Sequence, residues 1–336
     1  MKKSLIALAV AGAMTAPIVA QADATLYGNV EVELHMGDDT TSDITDPGSY
    51  NGAEDANLEL DDAILGVKGS SELENLSGVE AFYQLEVEFA RNSDPIRSST
   101  DTGPVSTRKA LVGLDSGFGT LIFGRQNLLA ESVERMDKYA ESLSTNNYFA
   151  FNDRIGNAAT YVTPTFAGFE AYGQIIVQGE QDDSRDDIDG GVVGFNYSLG
   201  GFDLAAAYSE MDQNIAFAPG TDDTMEIYGV GLGYAIGDLQ LDATYEATED
   251  NATNEESDMW GVGAAYALGD ATIGATYMDF EYDKSPVESD EWGVYASYKL
   301  GKKASVKAQY TSADVDGNSL SNDDFEKFVL GYNVSF

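Results

Sequence analysis

The chain has 336 residues, with 58 acidic against 18 basic side chains, one histidine and no cysteine. A formal charge of −40 excludes a phosphate-binding surface of clustered Lys and Arg, and with it a nucleic-acid partner. The lack of cysteine excludes a disulfide framework, thiol chemistry and thiolate metal sites.

Lys2 and Lys3 precede an apolar run from Leu5 to Ala20, and Ala20-Gln21-Ala22 is a small-x-small cleavage site. Residues 1–22 therefore read as a secretory signal peptide, with cleavage after Ala24 as the alternative. Removing 1–22 takes away two lysines and no acid, so the charge goes from −40 to −42. An excess of this size suits cations, and a saline habitat in which self-repulsion is screened. No later stretch reaches the roughly 18 apolar residues that a spanning helix needs.

From residue 23 onward the hydrophobic period is two. Sixteen segments alternate: 25–36, 56–69, 78–90, 106–115, 119–126, 154–163, 168–178, 190–199, 201–212, 224–236, 238–249, 257–268, 271–282, 289–300, 304–315 and 324–336. One set of connections is tight and glycine-rich, as at Leu199-Gly-Gly, Ile236-Gly-Asp, Leu268-Gly-Asp and Leu300-Gly-Lys. The other set is long and acidic, at 37–55, 91–105, 127–153, 179–189, 213–223, 250–256, 283–288 and 316–323. An even number of strands with short turns at one end and long loops at the other predicts an all-β fold. It is a 16-stranded antiparallel transmembrane β-barrel over 23–336, with the short turns in the periplasm and the long loops outside.

The two faces of the strands differ in kind. Trp260, Val262, Ala264, Tyr266 and Leu268 share one face of 257–268, against Gly261, Gly263 and Ala265. Leu239, Leu241, Ala243 and Tyr245 oppose Gln240, Asp242, Thr244 and Glu246; Val306, Ala308 and Tyr310 oppose Lys307, Gln309 and Thr311. Because unpaired charge is too costly to bury, the polar face lines a wet lumen and the apolar face meets lipid. Tyr197, Tyr234, Tyr266 and Tyr298 recur one layer from the tight turns, which places them in an interfacial girdle; Trp260 and Trp292 fit the second girdle. The last strand ends on Phe336, read as an assembly signal.

Residues 127–153 break the pattern and switch to a helical period. Leu129, Val133, Met136, Ala140 and Leu143 form an apolar stripe, with Glu134, Asp137 and Glu141 on a neighbouring face. Such a helix either folds into the lumen, resting its stripe on the wall, or lies outside as a lid with a solvated acidic face.

The run Ser-Thr-Arg-Lys-Ala-Leu-Val-Gly-Leu-Asp-Ser-Gly-Phe-Gly-Thr-Leu-Ile-Phe-Gly-Arg-Gln-Asn at 106–127 resembles strands four and five of Gram-negative general porins. Thr25-Leu-Tyr-Gly, Leu65-Gly-Val-Lys-Gly and the terminal Tyr-Asn-Val-Ser-Phe resemble the same family, so the likeness runs over the whole mature chain. It implies a homotrimer of sixteen-stranded barrels whose third external loop, here 127–153, is folded inward. It also implies a constriction with acids on that loop, Glu134, Asp137 and Glu141, facing arginines on the wall. Arg108 and Arg154 match two of those arginines, and Arg154 is read on the inward phase with Gly156, Ala158 and Thr160 while Ile155 faces out. Two positions depart from the enterobacterial pattern: Ile64 stands for a wall arginine and Asn29 for a lysine. Further acids, Glu31, Glu33, Glu80, Glu86 and Glu88, fall on the inward phase. Arg125 shares the outward phase of Leu121 and Phe123, where it suits a trimer contact, with snorkelling at the rim as the alternative.

No catalytic constellation is present: the single His35 has no serine in a nucleophile turn nearby, so an enzyme is not expected. No cofactor is expected beyond Ca²⁺ or Mg²⁺ held loosely at acidic external loops such as 182–189, where ions would bridge to lipopolysaccharide. The expected activity is passive diffusion of small hydrophilic solutes and ions, with preference for cations, through the bacterial outer membrane. Two readings compete. A solute-specific channel would need a basic ladder or an aromatic slide, whereas the inward Phe82 and Tyr295 are scattered. A plugged structural or adhesive barrel would need an extra domain or a second inserted loop.

Overall fold

A computed structural model describes residues 24–37, 56–89, 105–136, 139, 154–177, 188–212, 224–286, 288–316 and 323–336. Outside them lie residues 1–22, expected to be a signal peptide, Asp137, Glu141, Ala140 and Leu143 of the loop at 127–153, and most of the external loops.

Sixteen strands form one closed antiparallel barrel: β1 (Thr25–Gly37), β2 (Asn57–Glu72), β3 (Val79–Phe89), β4 (Val105–Ser116), β5 (Gly119–Asn127), β6 (Arg154–Val162), β7 (Phe169–Ile176), β8 (Gly190–Leu199), β9 (Phe202–Asp212), β10 (Thr224–Ile236), β11 (Leu239–Asp250), β12 (Glu255–Leu268), β13 (Ala271–Tyr282), β14 (Glu288–Gly301), β15 (Ala304–Asp316) and β16 (Asp323–Ser335). Each strand pairs with its sequence neighbours, and β1 closes onto β16 with Val30 opposite Val334. Closure leaves no unpaired edge, which a membrane demands of any strand structure. Phe336 completes it: its N–H donates to Gly28 O at 3.0 Å, and Gly28 N–H donates to Phe336 O at 3.2 Å. The Phe336 ring lies over Gly28, where a Cβ would meet Phe336 Cζ at 2.2 Å, so this position admits only glycine.

Alternation sorts the side chains as expected. Leu121, Val193, Leu232, Val262, Ile273 and Val294 are exposed on the outer wall, while Glu33, Gln174, Thr244, Glu246 and Thr311 are buried on the inner one. Aromatic pairs mark the outer wall towards the long-loop end: Trp260 with Tyr277 at 5.3 Å, Trp292 with Tyr310 at 5.4 Å, and Tyr208 with Tyr228 at 5.0 Å between ring centres. Tyr234, Tyr266 and Tyr298 are exposed at the opposite end. No helix among the described residues is long and apolar enough to cross a membrane.

Among the described residues the register shifts at four places; on β4, Lys109 pairs with Glu86 and Thr107 with Val87, so Arg108 is an extra residue. On β2, Glu31 pairs with Asp62 and Val32 with Leu60, so Asp61 is an extra residue. On β6, Gln126 pairs with Ile155 and Gly124 with Ala158, and Asn157 takes a φ of 53°. Three residues of β6 thus span two of β5, which corrects the expected phase at the start of β6. Ile155 turns inward, buried with Ala158, and Arg154 falls on the opposite face.

A candidate pore and its constriction loop

The described part of the loop after β5 lies inside the barrel. It opens with a 3₁₀ helix, Leu129–Val133, instead of a longer α-helix, and the buried residues follow a period of three: Ala130, Val133, Met136 and Tyr139. That period replaces the stripe read at helical spacing; Val133 and Met136 belong to both, while Leu129 is only partly buried.

The seat of the loop is made by small inward residues. A Cβ at Gly231 of β10 would meet Val133 O at 2.5 Å, and one at Gly261 of β12 would meet Met136 Cγ at 2.8 Å. Beside Gly263 lies the ring of Tyr139, 3.1 Å from where a Cβ would stand. Val133, Leu128 and Ala130 pack with Ile176, Val192, Ala205 and Ile227; Met136 and Tyr139 pack with Met259, Met278 and Phe280.

Polar contacts fix the loop laterally. Thr244 Oγ1 donates to Val133 O at 3.0 Å and accepts from Arg135 N–H at 2.8 Å. Tyr139 donates its hydroxyl to the Asp242 carboxylate, and its ring meets Tyr295 of β14 edge-on at 5.9 Å. Asn127 Nδ2 donates to Glu131 Oε1 at 2.7 Å, bracing the loop against the end of β5. Burial, then the hydrogen bond and charge of Asp242, push the Tyr139 hydroxyl pKa well above the ordinary tyrosine value.

Of the loop acids expected at the constriction, Glu134 is the one within the described residues. It is buried at 8% exposure and lines a hollow of about 330 Å³ with Leu128, Leu129, Glu131, Ser132, Arg135 and Asn196. Asp137 and Glu141 lie outside the described residues.

The wall from β15 through β1 to β4 carries a ladder of charge. Arg108 of β4 donates through Nε to Glu86 Oε1 and through Nη1 to Glu88 Oε2, both at 3.0 Å. Tyr27 donates to Glu86 Oε2 at 2.8 Å and accepts from Gln84 Nε2 at 2.6 Å. Lys307 of β15 bridges Glu31, at 3.0 Å, and Glu33. His35, whose chemistry the sequence left without a role, lies between Glu33 at 2.7 Å and Glu59 at 3.2 Å.

The β2 bulge brings Asp61 beside Asp62, and the carboxylates of Glu31, Asp61 and Asp62 come within 4.8 Å of one another. Those three are the described residues with the donor set and spacing to hold a hard cation. Asn29 and Ile64, the two departures from the enterobacterial pattern, both stand on this inner face: Asn29 Nδ2 donates to Asp62 Oδ2 at 3.3 Å, and Ile64 pairs across to Asn29 and Glu88.

The remaining predicted residues sit elsewhere. Glu80 is exposed at the short-turn rim, opposite Asp115. Arg125 lies on the outer face, with Nε donating to Thr107 O at 2.8 Å. Sequence reasoning missed Glu59, Asp61, Asp62, the counter-ion role of Lys307 and the Tyr139–Asp242 contact. Gly261 and Gly263 on an inward face were the available signal for a loop seated there.

A closed sixteen-stranded barrel with an apolar outer wall, a charged lumen and an inward loop defines an outer-membrane β-barrel of the channel type, not an enzyme. The chain belongs to the Gram-negative porin family, whose model matches residues 7–318, and it resides in the bacterial outer membrane. It is 31% identical over 211 residues to the major outer membrane protein P.IB of Neisseria meningitidis serogroup B, which covers 60% of this chain and 57% of that protein. It is 26% identical over 294 residues to a monosaccharide porin of Halomonas sp., covering 76% of this chain and 73% of that one. Among solved structures, an anion-selective porin from Comamonas acidovorans superposes with a TM-score of 0.71 at 16% identity, over 94% of this chain and 100% of that one. The trimer form of OmpT from Vibrio cholerae gives 0.67 at 17% identity, over 94% of this chain and 100% of that one. At these identities the two structures speak for the fold.

Proposed function

We propose that the protein is a general-diffusion channel that passes small hydrophilic solutes and prefers cations, working as a homotrimer. The observation that carries the reading is the composition of the wall from β15 to β4. Glu31, Glu33, Glu59, Asp61, Asp62, Glu86 and Glu88 stand there, and four of them hold Arg108 and Lys307 in ion pairs; Lys68, over the Tyr27 ring, Lys109, opposite Glu86, and Lys327, opposite Thr311, are further cations of these strands. Arg108 and Lys307 are each bracketed by two acids, so neither that guanidinium nor that ammonium is presented alone to a passing anion.

The mechanism is electrostatic. The surplus acids raise the local concentration of cations and repel anions, while the loop seated on β8–β12 narrows the lumen. Glu134, with Asp137 and Glu141, is assigned to the loop side of the constriction and Arg108 to the wall side. Trimer assembly is supported by the porin fold and by the trimeric form of its Vibrio neighbour; Arg125, on the outer face near β4, is assigned to that contact. The Halomonas relative, named for monosaccharides, supports passage of small neutral solutes. Ca²⁺ or Mg²⁺ at the acidic external loops, linking them to lipopolysaccharide, completes the proposal.

The test is the reversal potential of single channels in a planar bilayer under a KCl gradient. Steps of current in threes with a potential favouring K⁺ are expected. In Glu31→Gln/Asp61→Asn/Asp62→Asn that potential moves towards zero. A Cl⁻-favouring wild-type channel would overturn the cation preference, and correctly folded barrels without conductance would overturn the channel reading.

A further inference from the structure

Seven connections lie at the short-turn, periplasmic end, and six of them contain no Lys or Arg. Those that join β10 to β11 and β12 to β13 carry Asp238 and Asp270. The seventh, between β14 and β15, reads Gly301-Lys302-Lys303, with Lys299 just before it. All three lysines are exposed, and none forms an ion pair among the described residues. Lys299 lies on the inner phase with Ser305, so the turn itself presents two ammonium groups, Lys302 and Lys303, which give this end of an acidic chain a local positive potential.

The outer wall beside the turn is shaped for a chain. Tyr298, Val306 and Tyr332 are register partners side by side on β14, β15 and β16, so the smaller Val306 lies between two rings. One layer further from the turn, Ala296, Ala308 and Leu330 are the corresponding partners. The result is an apolar trough with a floor of Val306, Ala308 and Ala296, walled by Tyr298 and Tyr332 and ending at the lysines. Tyr298 and Tyr332 are 49% and 48% exposed, so this trough is open to the bilayer.

We propose that this turn and trough bind an anionic phospholipid of the periplasmic leaflet. Lys302 and Lys303 hold the headgroup phosphate, and an acyl chain lies along the floor of the trough. A soluble anion would have no use for the trough, and a cell-wall polymer bearing carboxylates would not lie at bilayer depth. The apolar wall therefore favours a lipid over both. Each lysine near an anionic surface contributes enough to change affinity about fivefold, and two together about thirtyfold.

The experiment uses the full-length mature protein extracted from outer membranes. Binding of phosphatidylglycerol and phosphatidylcholine is measured by native mass spectrometry, with trimer mobility on gels as the folding check. Wild type should retain phosphatidylglycerol over phosphatidylcholine. Lys302→Gln/Lys303→Gln should bind it about thirtyfold more weakly, while Lys284→Gln, on the opposite side of the membrane, should match wild type. Ala308→Phe, which fills the trough and spares the lysines, should also weaken binding. Equal retention of both lipids, or an unchanged double variant, would overturn the proposal. So would loss in the double variant of binding to soluble muropeptides in place of lipid, which would assign the turn to the cell wall. An unchanged Ala308→Phe would overturn the acyl seat.

Discussion

Tyr139, on the loop inside the barrel, donates its hydroxyl to Asp242, on the inner face of β11. The two residues are 103 positions apart in sequence, and their contact ties the loop to the half of the wall opposite the charged ladder.

Tyr139→Phe removes that hydrogen bond and leaves the ring packed on Tyr295. A cost of about 1 kcal/mol is expected at the loop, with the barrel itself unaffected. Single-channel records should show more current noise, and a protease should cut the loop sooner at an unchanged melting temperature. The pH dependence has a definite sign. The folded pKa of Tyr139 is raised above the ordinary 10.0, so the protonated hydroxyl stabilises the seated loop fully below that pH. The contribution disappears only as pH rises through the higher folded value. Wild-type noise should therefore stay flat through neutrality and climb in strong alkali, whereas Tyr139→Phe should be noisy throughout.

Gly261→Val tests the seat from the other side. The added carbons would meet Met136 Cγ, since even a Cβ comes within 2.8 Å of it. Overpacking of this kind costs about 1–3 kcal/mol, and the loop can escape it by lifting from β12. Conductance should rise, with the trimer intact on gels.

Glu86→Gln/Glu88→Gln should free Arg108 from its two carboxylates. The wall then loses two negative charges and presents a guanidinium to the lumen. The reversal potential under a KCl gradient should shift towards anions by more than the shift in Arg108→Gln/Glu86→Gln/Glu88→Gln, which has no cation to release. Equal shifts would show that the pairing does not mask the arginine.

Lys307→Gln leaves Glu31 and Glu33 with one partner fewer on the most enclosed part of the ladder, since Glu33 is fully buried. Breaking a fully buried pair costs about 3–5 kcal/mol, and the partial exposure of Lys307 reduces that here. The melting temperature should fall and cation preference should rise. A fall in cation preference would place Lys307 outside the conduction path.

Sixteen strands, their order and the greasy and wet faces were legible because alternation is local: each strand declares its two faces by itself, and each pairs with its neighbour in sequence. The loop at 127–153 was legible as an apolar stripe, but periodicity alone left it inside or outside. Over its described residues the helix is 3₁₀ and not α, a distinction the sequence hides because both periods share residues such as Val133 and Met136 over so short a span. Arg154 was placed on the wrong phase because Asn157, at a positive φ, inserts one residue into β6. A one-residue slip in a strand flips every side chain beyond it.

The sequence by itself determined that this chain is a barrel with lipid outside, water inside and too much acid for its few cations. Only the tertiary structure decided how that acid is arranged. The β2 bulge set Asp61 beside Asp62, β15 delivered Lys307 to Glu31 and Glu33, and β4 delivered Arg108 to Glu86 and Glu88. The physical reason is one of range. Alternation acts between adjacent residues and survives in the sequence as a pattern. Charge pairing acts over a few ångströms between strands, where curvature and bulges bring together residues that no spacing in the chain connects.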